Sequence, residues 1–521
     1  MGKDLDNASF MRPFDLTTKN DSLQSRLVFW TLLALAAVFR LPGLGKSIWL
    51  DEASTLQVIL SSNFFQAVRL YDHPPLYLAF LRLWSLFGTS ETYLRIPSVL
   101  FGVATVGIIV KDLQGRSRLA ALLAGVMSVV SPVLLSASQE IRDYALLALL
   151  TALSCYCAGK LVRSPQSKLA WIGLSLGLTG AVSTHLAGIF LIPALAVYLA
   201  CFPTTRRLKY LALFILPVVS FLLIYFFFIP PEVRARTSAD WGEGQLSLGL
   251  VVFTAAYLAG YFSLLSPLPL IQPGDTIIPA HPLSIVMFFA MIVIATALLL
   301  GNLRNRSGQS QSYPYLLTAL VYWGGLIGYS LFFVDILSER TALPGLVPFL
   351  GFAGLQLADA GQWGSRRRLV NILALALVCL GLSANWLSYT AWNPQEDWRS
   401  LCQKVAVDWQ PGDRLVLFPG YSQPPFIYYT PQIPADAMLL LPVDNASPAH
   451  SQQSQSALQS QFSGKVLSAP RVFLVYRPDS QAVRDSISYP LSQSILASQF
   501  GRPLTQQFGW LTLSEYGQAP K

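Results

Sequence analysis

Eleven stretches of this chain are apolar for long enough to cross the hydrocarbon of a bilayer, which takes about 17–25 helical residues. They are Leu27–Gly45, Pro97–Leu113, Leu119–Ala137, Tyr144–Leu161, Leu169–Thr184, Leu186–Phe202, Leu208–Ile229, Leu283–Leu300, Tyr313–Phe333, Leu343–Ala358 and Leu369–Tyr389. A backbone in lipid must satisfy its own N–H and C=O groups, so runs of this kind predict transmembrane helices. Composition agrees, with 53% of the 521 residues hydrophobic and 12% charged, about half the usual charged share. The first run follows a polar leader and meets Arg40-Leu-Pro-Gly rather than a small-residue cleavage site, so it reads as an anchor that stays.

The short loops orient the chain. One set carries Lys111, Arg116, Arg118, Lys160, Arg163, Lys168, Arg206, Arg207, Lys209, Arg304, Arg306 and Arg366 to Arg368 against two acids, Asp112 and Asp359, which places these loops in the cytoplasm. The net charge of +9 is then mostly a topology signal, and no basic stripe or recognition module points to nucleic acid. Alternation puts the N-terminus inside and everything after Tyr389 outside, provided that Leu76–Phe87 lies in the interface beside a helix over Ala53–Leu70, and that Leu246–Leu265 does not cross. The five cysteines are scattered, and Cys155 and Cys157, two apart on a helix, face different ways, which argues against a disulfide or a metal pair.

Sorted this way, the opposite side receives Asp51, Glu52, Asp72, His73, Arg95, Glu140, Arg142, Asp143, His185 and Arg340. Mixed-sign ionisable groups at helix ends mark a reaction or transport site. The predicted organisation is a cytoplasmic leader over 1–26, a transmembrane domain over 27–390 with an outer catalytic loop at 46–96, and an extracytoplasmic α/β domain over 391–521. In that last part, Asn393-Pro394 followed by Glu396 predicts a capped helix through Asp408, and β-type runs fall at Arg414–Phe418, Phe426–Tyr429, Met438–Leu441, Arg471–Tyr476 and Trp510–Ser514. Asn445 to Ser463 reads as a Ser/Gln-rich loop.

Trp49-Leu-Asp51-Glu52-Ala, His73-Pro-Pro-Leu-Tyr, Leu94-Arg95-Ile-Pro-Ser98, Ser138-Gln-Glu140-Ile-Arg142-Asp143-Tyr144, Thr184-His185 and Ser338-Glu-Arg340 follow one another in an order that resembles bacterial glycosyltransferase family 39. Its members are similar to protein O-mannosyltransferases and to the lipid A aminoarabinose transferase. The resemblance covers Arg40 to about Pro348, and Glu396-Asp-Trp-Arg399 with Pro411-Gly-Asp413 looks like the outer tail of some bacterial members. It implies a C-type glycosyltransferase: a polytopic helical bundle in a bacterial plasma membrane, acting outside the cytoplasm on a sugar carried by polyprenyl phosphate. By the same resemblance Asp51 is the proposed base, and Asp72, His73, Arg95, Arg142 and Asp143 line the site. Asp72-His73 stands where the aminoarabinose transferases have Glu-Lys, which favours the mannosyltransferase-like branch.

The chemistry accounts for these residue types independently. Transfer from a lipid phosphate needs a base for the acceptor hydroxyl and cations for the departing charge. Asp51 suits the base, with Glu52 as a second catalytic or supporting carboxylate, and Arg95, Arg142 and Arg340 suit the phosphate, which guanidinium holds through two donors. Each has a plainer reading: Asp51 and Glu52 as helix caps, Arg95 and Arg142 paired with Glu91 and Asp143, His185 as a helix-end contact. Asp72 and His73 are candidate ligands for a divalent metal, the one cofactor these residue types suggest. The implied partners are membrane lipid, the lipid-linked donor, and a protein, lipid or glycan acceptor. A polytopic lipid or glycan transporter, or flippase, is the alternative, and would place ionisable groups near mid-bilayer on broken helices.

Overall fold

The computed structural model of the chain describes residues 19–202, 207–234, 251, 254, 311–334, 336–359, 396–443, 459–462, 466–478, 483 and 486–517. The expected spans Leu283–Leu300 and Leu369–Tyr389, almost all of Leu246–Leu265 and of the Ser/Gln-rich loop, and the boundary near 390 lie outside these residues.

Six described helices are long and apolar enough to cross a membrane. They belong to α1 (Lys19–Arg40), α5 (Glu91–Gln114), α8 (Tyr144–Arg163), α11 (Arg207–Leu222, running on as π-helix to Phe228), α12 (Tyr313–Phe332) and α13 (Glu339–Asp359). Between them run α6 (Arg118–Val130), α7 (Pro132–Ala137), α9 (Lys168–Thr184) and α10 (Leu191–Ala200). The chain is an integral membrane protein, mostly helical. α5 packs against α1, α6 and α8, and α13 against α6, α8 and α12. Leu211, Ile215 and Phe227 face outward from α11 and its π-helical extension, and Leu27 and Trp30 from α1, as lipid-facing surface requires.

Two expected spans are interrupted for reasons visible in the sequence. Leu119–Ala137 breaks at Ser131, where Pro132 opens α7 at a first-turn position that needs no N–H. Leu186–Phe202 starts with a 3-10 turn, Leu186–Phe190, capped by the His185 side chain, which accepts from Ala187 N at 3.1 Å. α5 begins six residues before the expected Pro97 because Ser90 caps it, accepting from Tyr93 N. Pro97 cannot bond back to the Tyr93 carbonyl, and Trp84 Nε1 donates to that oxygen instead, at 3.1 Å.

The segment between α1 and α5 forms three short helices, α2 (Leu50–Leu60), α3 (Phe64–Arg69) and α4 (Pro75–Trp84). The single helix expected over Ala53–Leu70 is therefore two, because Asn63 starts a new one by accepting from Gln66 N. α4 buries Tyr77, Leu78 and Leu81 while Leu76, Phe80 and Leu83 stay exposed, the two-sided pattern of a helix lying on apolar surroundings.

The C-terminal part is an α/β unit: α14 (Trp398–Asp408), β1 (Arg414–Phe418), α15 (Gln423–Tyr429), β2 (Met438–Leu440), β3 (Arg471–Tyr476), α16 (Ser488–Phe500), β4 (Leu504–Phe508) and β5 (Leu511–Gly517). The sheet order is β2-β1-β3-β5-β4, with β2, β1 and β3 parallel and β5 antiparallel to both β3 and β4. Central strands carry apolar residues on both faces, Leu415, Leu417 and Phe473 toward α14 and Val416, Phe418 and Leu474 toward α16. Phe426–Tyr429 is helical rather than the expected strand, because Pro424 and Pro425 preset the backbone of a first helical turn. α14 is capped by Asp397, which accepts from Ser400 N at 3.1 Å, and Glu396 stands free of that cap.

Candidate active site

The ends of α1, α7 and α9, the starts of α5, α8 and α13, and the segment α2–α4 meet at one end of the bundle. α7 reaches α5 closely enough there that a Cβ on Gly102 of α5 would sit 2.0 Å from Ser138 Oγ. Arg40, fully buried at the end of α1, donates to Ser138 Oγ at 3.0 Å and to the Ala36 and Ser128 carbonyls.

α2 presents Asp51 and Glu52 in its first turn, and the two have opposite fates. Glu52 is completely buried: Oε1 accepts from Arg95 Nε at 2.9 Å and Ile141 N at 2.7 Å, and Oε2 from Arg95 Nη2 and Trp49 N. Arg95, 2% exposed, gives its remaining donors to the carbonyls of Leu44, Lys46 and Ser47. This favours the supporting role for Glu52 over the catalytic one, and speaks against a phosphate contact for Arg95. A guanidinium whose five N–H groups are all engaged has none for phosphate, and a carboxylate with four partners is a strut rather than a catalyst.

Asp51 points the other way, 37% exposed, with Oδ2 3.4 Å from Arg340 Nη1. Arg340 lies with Cζ 4.4 Å from the Trp49 ring centroid, and Nη2 is 4.0 Å from Glu140 Oε1. Glu140 Oε1 accepts from Ser136 Oγ at 2.8 Å, whereas Oε2 is buried with no hydrogen-bond partner among the described residues. Burial raises the Glu140 carboxyl, with Arg340 opposing. Lys46, in the loop before α2, is lowered to about 8 by burial and by Arg95.

Beside this group lies a small cleft lined by Thr55, Tyr71, His73, Tyr77, Arg142 and Asp143. Arg142 Nη1 donates to Tyr71 OH at 2.6 Å, Thr55 Oγ1 at 3.1 Å and the Asp51 carbonyl at 3.4 Å, and Nη2 sits 2.8 Å from His73 Nε2. His73 Nδ1 is 3.3 Å from Asp143 Oδ2, and Asp72 Oδ1 is 3.6 Å from Nε2. Since Arg142 can only donate, His73 Nε2 accepts and Nδ1 carries the proton toward Asp143. Burial would raise the Asp143 carboxyl, but His73, His185 and Arg142 outweigh it and hold it at about 2. Burial lowers His185 to about 4, so it is neutral at pH 7. His73, Asp143 and His185 offer ligand atoms all within 4.8 Å of one another, and are the metal-capable group among the described residues. The expected pair was Asp72 with His73; His73 instead turns to Asp143, and Asp72 remains at the edge, 30% exposed.

Of the predicted site residues, Arg142, His73 and Asp143 line the cleft, His185 stands against His73 and Asp143, the pair of Asp51 and Arg340 lies beside it, Asp72 flanks it, and Glu52 with Arg95 lies beneath. Arg142, 6% exposed and engaged through both terminal nitrogens, is set back, so Arg340 is the accessible guanidinium. Tyr71, Thr55 and Glu140 were not among the expected site residues. Tyr71 precedes Asp72-His73 directly, but an aromatic at a helix end carries no signal of its own.

The sequence profile of a family described as dolichyl-phosphate-mannose-protein mannosyltransferase matches residues 72–230. The crystal structure of ArnT from Cupriavidus metallidurans in the apo state superposes with a TM-score of 0.57 at 13% identity, covering 95% of this chain and 98% of that one. The same protein bound to undecaprenyl phosphate gives 0.53 at 12%, covering 96% and 98%. The archaeal oligosaccharyltransferase AglB from Archaeoglobus fulgidus, in complex with an inhibitory peptide and a dolichol-phosphate, gives 0.56 at 10%, covering 96% and 75%. Among curated proteins, none matches the chain in sequence. The chain thus has the C-type glycosyltransferase membrane fold, and resembles the O-mannosyltransferases and ArnT.

Proposed function

We propose that this chain is a membrane glycosyltransferase that moves a single sugar from a polyprenyl-phosphate carrier to an acceptor hydroxyl, with inversion and with Asp51 as general base. The observation that carries the reading is the divergence of two adjacent carboxylates, Glu52 sealed under Arg95 and Asp51 exposed beside Arg340. The family profile and the lipid phosphates bound by structural relatives support the donor class. The reaction face is the outer one of a bacterial plasma membrane, on the charge asymmetry of the loops.

The acceptor oxygen attacks the anomeric carbon as its proton passes to the Asp51 carboxylate. The bond from that carbon to the phosphate oxygen breaks, and polyprenyl phosphate leaves with one more negative charge than it had as the sugar ester. Arg340, partly exposed beside Asp51, meets that charge directly. Arg142, oriented by His73 and Asp143, adds its field from behind. Because Arg142 faces His73 Nε2, the histidine cluster orients a cation rather than caging a metal, and dialysis against a chelator is expected to leave transfer unchanged; loss of activity restored by zinc would reverse that assignment.

The test is to reconstitute the purified chain in liposomes with an envelope extract as acceptor pool. It is then offered undecaprenyl phosphate carrying mannose, galactose, arabinose or aminoarabinose in turn, and release of undecaprenyl phosphate is followed by mass spectrometry. Extract-dependent release from one of these is the expected result. Transport of an intact lipid-linked sugar across the bilayer without release supports the transporter reading instead. Ionisable groups gathered at helix ends, rather than at mid-bilayer, favour transfer.

A further inference from the structure

The motif Glu396-Asp-Trp-Arg399 has no place in the chemistry above, yet its side chains reach the segment that carries Asp51. Four of the six residues before Asp51 are tied to the C-terminal unit. Arg399 Nη2 donates to the Gly45 carbonyl at 2.8 Å and Arg399 N to Ser47 Oγ at 3.0 Å. Ile48 N donates to Tyr429 OH at 2.9 Å, and Leu50 N to Glu396 Oε2 at 3.2 Å.

Glu396 is the centre of this junction. It is 7% exposed, and its other bonds come from Trp398 Nε1 at 2.6 Å and from Arg477 Nε and Nη2 at 2.9 and 2.6 Å. Leu50 is the first residue of α2, so its N–H has no partner within the helix, and a carboxylate there meets the positive end of the helix dipole. Around it, Tyr428 OH donates to the Thr89 carbonyl at 2.8 Å, Arg399 pairs with Glu91, and Tyr428 and Tyr429 pack on the apolar cluster beneath α2.

We infer that the C-terminal unit is a positioning part of the active site: Glu396, through the Leu50 N–H, and Tyr429, through Ile48, fix the first turn of α2 and so set where the Asp51 carboxylate stands against Arg340. Neither residue touches the cleft. The inference rests on the reading of Asp51 as general base. It gives the α/β unit a task that needs no ligand of its own, since it adds to the buried Glu52 a second anchor on the helix start that carries Asp51. Displacements of about 1 Å at reacting groups are enough to cost about 100-fold in rate.

The experiment compares Glu396→Gln and Tyr429→Phe, each alone and combined with Asp51→Asn, in the full-length chain. Rates are taken with whichever undecaprenyl-phosphate sugar supports release, and affinity with undecaprenyl phosphate itself. Glu396→Gln is expected to lower kcat about 10-fold and Tyr429→Phe about 3-fold, with carrier affinity held within about twofold, because only the placement of the base changes. In the Asp51→Asn background neither should lower the residual rate further, because residues that act through one group are not additive. Tyr429→Phe keeps the test open where Glu396→Gln, by unpairing Arg477, fails to fold. Losses that multiply in the Asp51→Asn background, or wild-type kcat in both single variants beside a crippled Asp51→Asn, overturn the inference alone. An Asp51→Asn chain at the wild-type rate overturns the reading of Asp51 beneath it as well.

Discussion

Asp51 and Glu52 share a helix turn and a charge, and what separates them is the direction in which each leaves α2. Glu52 enters a buried pair with Arg95, and removing one partner of such a pair costs about 3–5 kcal/mol by stranding the other. Glu52→Gln should therefore lower the yield of folded protein and its unfolding midpoint in detergent; an unchanged midpoint would show the pair to be dispensable. Arg340, 30% exposed, has the opposite profile. Arg340→Ala should leave folding intact and slow turnover about 100-fold, the loss expected for one donor to developing charge, with Arg340→Lys recovering only part because a fork becomes a point. Turnover above one tenth of wild type in Arg340→Ala would take it away from the phosphate. The sequence showed that these residues fall on one side, since loop charge and helix ends are local. It set Asp51 above Glu52 as the base, but without the geometry that separates them. Which carboxylate is buried depends on Arg95 and Ile141 meeting α2, and on Glu396 arriving from 346 residues away.

At the scale of the elements, the readings that succeeded rest on local chemistry and those that failed were decided by neighbours or by overlooked local rules. β1 and β3 were legible because central strands buried on both faces are continuous apolar runs. β4 was not, since Leu504-Thr-Gln-Gln-Phe is an exposed edge strand without alternation. Phe426–Tyr429 misled because its aromatic run outweighed the two prolines before it. α5 shows the coupling most directly: Pro97 frees the Tyr93 carbonyl, and Trp84, stacked on Tyr93 at 5.0 Å, supplies the missing donor. Trp84→Phe keeps the stacking and removes that donor, so it should cost about 1 kcal/mol. The check is the unfolding midpoint of the purified protein compared with Trp84→Tyr, whose hydroxyl extends from the far end of its ring and does not restore the bond; no shift in either variant would mean that the carbonyl is satisfied otherwise.

The whole molecule joins a helical membrane bundle to an α/β unit, with a cleft of ionisable groups where α2 lies between them. The bundle was legible from apolar length alone. The junction was not, because hydrogen bonds between residues hundreds of positions apart leave no periodic trace. The central claim is that Asp51 takes the acceptor's proton in a single displacement. Asn keeps the size and the capping ability of Asp but cannot accept that proton. The most direct measurement is single-turnover transfer by wild type and Asp51→Asn at equal amounts in the membrane, with the anomeric configuration of the product read by NMR. The account predicts that Asp51→Asn binds undecaprenyl phosphate as wild type does and transfers at least about 100-fold more slowly, and that the wild-type product is inverted relative to the donor. Transfer by Asp51→Asn near the wild-type rate, or a product that retains the donor's configuration, would contradict it.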